Sequence, residues 1–332
     1  MNICFSETNP PPSFNPKPQN SENKTLKLLD PISRLLNTKI GKNSNLSKAN
    51  LQQADLSEVN LSGADLEEAN LQEANLVNAN LRNANLKKAN LQNANLTGSD
   101  LRGADLSFAI LKGSNLTRAN LENADFKSAD LGCFSSQQTL LNHANLKNAN
   151  FAQANLQGIS LQAANLTGAN LKEVNLNPDL YEDKTSKVTI VSDLTGANLS
   201  NANLRKAQLN YAILDSTNCE NTNFKQAQLQ HAIFRKANLM NTDLSEVNLN
   251  FADFTQANIR GANLRMSNLE RGCLVDAKLI NAKLEFARLI NIDMSGANFK
   301  GASWSRAELS NNIMENVTLP DGTPYHQLTD KE

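Results

Sequence analysis

Cysteine, histidine and acidic side chains are the groups here that could hold a metal, attack a substrate or move a proton. Four cysteines (Cys4, Cys133, Cys219, Cys273) and three histidines (His143, His231, His326) are scattered over 332 residues. No two make a CxxC or a zinc-ligand spacing, so the sequence predicts no metal site and a reducing compartment. It contains no nucleophile elbow, P-loop or HExxH. Aspartates such as Asp55 and Asp65 recur at one fixed place in a short repeat, where a small polar group bonds nearby backbone. No catalytic residue and no cofactor is expected, and the chain reads as a non-enzyme.

Composition narrows the elements that could position any chemistry. Apolar residues are 40% and aromatics 5% of the chain. One Trp, three Tyr and twelve Phe cannot fill the several cores of an ordinary enzyme this long. The formal charge of −1 excludes a strongly basic nucleic-acid binder. No apolar run reaches the length of a membrane span, and Met1 to Asn20 show no secretory pattern, so the expected location is the cytoplasm.

From Asn45 the chain repeats every five residues, as in Ala49-Asn50-Leu51-Gln52-Gln53. Counting from the central Leu as position i, one phase runs from Leu46 to Leu176 and a second from Leu194 to Leu319. Position i−2 is mostly Ala and i−1 mostly Asn or Asp. A five-residue period builds no apolar face on a helix, and it throws successive leucines to opposite faces of a straight strand. The pattern closes only if the chain turns every five residues, with Ala and Leu inside and Asn outside. Ten of the fourteen Gly fall at i+2, and so do Asn78, Asn83, Asn93 and Asn123. Both residue types accept positive φ, which makes i+2 the corner.

The motif A-[ND]-L-x-x resembles that of the pentapeptide-repeat proteins over residues 45–319, in a long, Asn-rich form similar to those abundant in cyanobacteria. The resemblance implies an all-β, right-handed quadrilateral parallel β-helix, with four repeats per coil and about 13 coils at about 4.8 Å each. It carries over no catalytic motif. Some relatives protect DNA gyrase by imitating DNA, and others are regulators or scaffolds that bind proteins.

Residues 1–44 read as a disordered tail followed by a short capping helix. Asp30-Pro31 opens the helix, and Ile32, Leu35 and Leu36 share one face. Its alternative use is docking. Residues 45–176 form the first block, 177–193 an insertion loop, 194–319 the second block and 320–332 a C-terminal cap or tail. Around 132–140 a bulge is expected that could shift the register.

With four repeats per coil, residues twenty apart stack. Tyr211, His231, Phe251 and Arg271 then form one outward column, and Met266 and Phe286 belong to the neighbouring face. Exposed aromatics and arginine suit a protein contact, although a column of stacked rings would also stabilise the ladder by itself. The loop residues Tyr181, Glu182 and Asp183 are the second candidate contact, or else a tolerated insertion. The partner expected is another protein, with a homodimer through a rod end as a further possibility and neither direct nucleic-acid binding nor a membrane span. The alternative is a DNA mimic acting on an enzyme such as gyrase. The two blocks carry net charges of only −2 and +2, so mimicry would need a local acidic stripe.

Overall fold

The structure, a computed structural model, describes residues 41–182 and 187–325. The disordered tail and capping helix expected before residue 41 lie outside the described residues, as do Asp183 and the chain beyond Tyr325.

Each repeat contributes one side of a four-sided coil, and each side pairs in parallel with the coils before and after it. We call the sides A to D. Side A runs Asp55, Asn75, Asn95, Asn115, Leu140, Ser160, Asp193, and from Ile213 by twenties to Ile313. Side B runs from Asn60 to Thr318 and side C from Asn45 to Ser303. Side D runs from Asn50 to Glu308, where two short strands named below complete it. The chain visits them in the order D, A, B, C, so corner DA lies diagonally across from corner BC.

The corners explain the period. Ala49 N–H donates to Leu46 O (3.0 Å), closing a tight turn, while Lys48 N–H donates to Glu67 O of the next coil (2.8 Å). The corner residue has positive φ whatever its type: 60° at Lys48, 60° at Phe108, 62° at Phe251. The Gly and Asn residues at i+2 thus mark the corner correctly, and other residue types take the same conformation there. A left-handed residue costs about 1–2 kcal/mol. Two backbone hydrogen bonds per corner, each worth about 1 kcal/mol net, and a buried Leu worth about 1.5–3 kcal/mol offset it.

The i−1 amides stitch coils together. Asn70 Oδ1 accepts the Gln72 N–H (3.2 Å), and Asn70 Nδ2 donates to Asn50 Oδ1 one coil away (3.2 Å). Inside, the leucine columns are fully buried, and Phe126 stacks on Phe151 with ring centroids 4.6 Å apart. At the last coil this core opens: Leu309 is 41% exposed, and Tyr325 packs there with its N–H donating to Val317 O (2.7 Å).

Two interruptions depart from the coil. Asn115 stacks on Leu140, 25 residues on, because a quintet is looped out between Leu131 and Leu140. There Phe134 and Gln137 exchange backbone hydrogen bonds (2.9 and 2.8 Å) across Ser135 and Ser136, both at positive φ. The register does shift, by a quarter turn. Ser160 stacks on Asp193, 33 residues on, around a second insertion. It is more ordered than the expected loop: β1 (Asp179–Glu182) and β2 (Lys187–Ile190) pair antiparallel as a hairpin. Elsewhere among the described residues only β3 (Arg288–Ile290) and β4 (Glu308–Ser310), parallel neighbours on side D, are long enough to name. No helix among the described residues is long and apolar enough to cross a membrane.

Candidate functional site

The side A ladder gathers features that are far apart in the sequence. The loop at 132–139, the hairpin at 178–191 and Tyr211 each lie between a side D residue and the next side A residue, so all three leave corner DA. Below them the same corner carries His231, Phe251 and Arg271.

The two insertions also touch. A Cβ on Gly158 would stand 2.7 Å from Cys133 Sγ, 3.1 Å from Ile190 O and 3.2 Å from Asp179 Cβ, so only glycine fits between loop and hairpin. Cys133 Sγ–H lies near Gly158 O (3.5 Å), and Gln138 Nε2 donates to the same carbonyl (2.8 Å). Burial, with the neighbouring Asp179 carboxylate adding to it, pushes the Cys133 thiol up to about 12. Burial does the same at Cys219. Neither is a nucleophile near neutral pH. Among the described residues no group of His, Cys, Asp and Glu could hold a metal.

The aromatic column forms as a stack. Tyr211 and His231 rings lie 4.5 Å apart and His231 and Phe251 4.6 Å apart, within 4° and 2° of parallel. The Arg271 guanidinium caps the stack 5.6 Å from the Phe251 centroid. The rings stack along the rod, so a partner meets their edges, the Tyr hydroxyl and the imidazole nitrogens. Tyr211 and Phe251 remain 48% and 43% exposed.

Met266 and Phe286 stand on the next corner, CD, where Arg306 caps Phe286 at 5.4 Å. The two corners repeat one device, a phenylalanine followed one coil later by an arginine. Of the loop candidates, Tyr181 and Glu182 lie in β1. Sequence reasoning missed four residues. Phe108 and Ile110 are exposed on corner CD and side D, and Ile213 and Ile233 are half-buried on side A beside the stack. The signal was there: isoleucine at i−1 replaces the Asn that pairs with its neighbours elsewhere.

Large exposed apolar side chains cluster on one flank. Among the described residues they lie on side D, its corners CD and DA, the hairpin, or side A, and none lies on sides B or C or on corners AB and BC. Corner BC is the opposite extreme. From Asn43 through Gly63, Asn83 and Gly103 to Asn281 and Gly301, every residue there is Asn or Gly.

Charges form short alternations. Lys48, Glu68 and Lys88 pair across coils on corner CD (3.7 and 3.3 Å). Arg271, Glu270, Arg288 and Glu308 form a chain of ion pairs (3.8, 3.7 and 3.2 Å). No column among the described residues carries more than two successive acids, Asp105 and Asp125 on side C being such a pair. Lys278, Lys283 and Arg288 face sides B, C and D and make no common patch.

Comparison with known proteins agrees with the ladder. A family profile described as "Pentapeptide repeats" matches residues 42–132, 140–177 and 192–316, and its two gaps fall on the loop and the hairpin. Among solved structures, the chain is similar to HetL, a pentapeptide repeat protein involved in heterocyst differentiation regulation from the cyanobacterium Nostoc sp. strain PCC 7120. Identity is 26% over 89% of this chain and 98% of that one, with a TM-score of 0.40. Full-length QnrB1, a plasmid-mediated fluoroquinolone resistance protein, is 16% identical over 54% of this chain and 90% of its own, with a TM-score of 0.29. A pentapeptide repeat protein of the Arabidopsis thaliana thylakoid lumen is 32% identical over 33% of this chain and 67% of its own, with a TM-score of 0.18. No curated protein matches.

Proposed function

The chain belongs to the pentapeptide-repeat family, and from that premise we propose that it works by binding: a rigid β-helical scaffold, right-handed and of about 13 coils, that presents one flank to a partner protein. The observation that carries this reading is the convergence of loop, hairpin and aromatic column on corner DA, beside the other exposed apolar side chains. Exposed aromatics and arginine in one patch are what protein contacts use. A monomeric rod gains nothing in solubility by gathering them. The free thiols Cys133, Cys219 and Cys273 support a reducing, cytoplasmic setting.

Imitation of DNA is the weaker reading. Duplex DNA carries a negative charge about every 1.7 Å, whereas here no column among the described residues carries more than two acids in succession.

The test replaces Phe251→Ser and Phe286→Ser together and compares co-purifying proteins with those of an Asn221→Ser/Asn241→Ser control on corner BC. Loss of a stable partner from the first variant alone is expected. Identical partners for both, with the fold intact by circular dichroism, would overturn the reading.

A further inference from the structure

Charge is unevenly placed around the second block, although the block as a whole is close to neutral. Round the coil the order is corner AB, side A, corner DA, side D, corner CD, side C. On side A and corner AB the outward residues include six acids, Asp193, Asp215, Asp253, Asp276, Asp293 and Glu315, against Arg235 and Lys236, a net −4. On side C and corner CD six bases, Arg205, Lys206, Lys225, Arg265, Lys283 and Arg306, stand against Asp243, Glu246 and Glu285, a net +3. Every other side taken with the corner after it, in either block and the hairpin aside, lies between −1 and +2. The two extremes therefore bound side D, the flank along whose corners the exposed rings run.

Close pairs neutralise only part of this charge. Arg235 serves both Asp215 and Asp253 (2.8 and 3.9 Å). Among the described residues Asp193, Asp276, Asp293 and Glu315 make no ion pair; Asp193 and Asp293 instead turn Oδ1 to their own corners, accepting the Thr195 and Ser295 N–H groups (2.8 and 2.9 Å). Across side D, Lys225 pairs with Glu246 (2.9 Å) and Arg265 with Glu285 (3.9 Å), while Arg205, Lys206 and Lys283 make no ion pair among the described residues. The polarity reverses at one level. Where corner AB turns basic at Arg235 and Lys236, the residues half a coil on are Asp243 and Glu246. Each level of the rod thus stays near neutral, and the field runs across the rod. Salt screens such a field beyond about 8 Å. It does not draw a partner from a distance; it fixes how a partner that touches the flank is turned.

Resting on the binding role above, we propose that the partner is a protein whose contact surface is polarised the opposite way. It is basic where it overlies side A and acidic where it overlies corner CD, with apolar side chains between them against Tyr211, Phe251, Met266 and Phe286. Ile213 and Ile233, half-buried among the aspartates of side A, add apolar contact on the acidic edge. A nucleic acid, negative throughout, is repelled at side A, and a uniformly basic protein is repelled at corner CD.

The test pans a random dodecapeptide phage library against the intact chain. Two classes of apolar peptide are expected, one basic and one acidic. Binding of the basic class should fall about fivefold for Asp253→Asn/Asp293→Asn and hold for Arg205→Gln/Lys206→Gln. The acidic class should show the reverse. Both should be unchanged for Glu220→Gln/Arg260→Gln, whose residues lie on corner BC. Asn already occupies the i−1 place on most coils and Gln226 the i+2 place on corner CD, so these variants keep the fold. Enrichment of one class alone, a class that answers to the wrong pair or to the corner BC control, or no enrichment would overturn the proposal. If that happens while Phe251→Ser/Phe286→Ser still removes the native partner, the binding role stands and the polarity claim falls. If that variant keeps the partner, the binding role itself falls.

Discussion

Corners BC and DA have the same backbone and opposite side chains. Both turn at φ near +60°: 56° at Asn241 and 62° at Phe251. On BC every residue is Asn or Gly, the types that accept this conformation at least cost. On DA the same turn carries tyrosine, phenylalanine, histidine and arginine, and twice the chain leaves the coil there altogether. BC satisfies the local rule along the whole rod. DA departs from it repeatedly and keeps large side chains in a strained backbone. Departures from local preference gathered on one line are where function is to be sought.

The largest expected effect breaks BC. A Cβ on Gly261 would stand 2.5 Å from Asn241 Oδ1 at a φ of +65°. Gly261→Val should cost about 2–3 kcal/mol, read as a lower urea midpoint. On DA, Phe251→Ala removes one stacked ring and the Arg271 contact, and should cost about 1–2 kcal/mol. Phe251→Gly should be less damaging than Phe251→Ala, since glycine relieves the left-handed strain. The reverse order would mean that DA is not strained.

Smaller effects sharpen the contrast. Burial holds the Cys133 and Cys219 thiols up to about 12, so at pH 8 both should react with iodoacetamide far more slowly than the half-buried Cys273. Mass spectrometry of a labelling time course reads the order. The smallest effect lies near BC. The side-chain hydrogen bond from Arg102 holds the Asp100 carboxyl below its usual range. Its stabilisation should be full above about pH 4, near the unfolded carboxylate value, and lost as pH falls through the lower folded value. Arg102→Gln should therefore lower the urea midpoint slightly at pH 7, and by less as the pH is taken below 4.

The five-residue Leu and Ala pattern was enough to read the coil, because each leucine occupies the same buried place in each turn. The aromatic column was legible once residues twenty apart were stacked, since no insertion separates Tyr211 from Arg271. What could not be read was where each insertion leaves the rod. Residues 132–139 add five residues and 178–191 sit in an excess of thirteen, and only the pairing of Asn115 with Leu140 and Ser160 with Asp193 shows that both leave one corner. Ile213 and Ile233 went unnoticed because a single isoleucine in an Asn position looks like tolerated drift until the rows are aligned.

The central claim is that distant departures share one edge, and a disulfide tests it directly. Cys133 and Asp179 are 46 residues apart, yet Cys133 Sγ and Asp179 Cβ meet over Gly158. An Asp179→Cys variant, mildly oxidised, should form a bond to Cys133, whose thiol already neighbours the Asp179 side chain. An Asn203→Cys control on side C should form none. Failure of Asp179→Cys to bridge in the folded protein, or equal bridging by Asn203→Cys, would contradict the account.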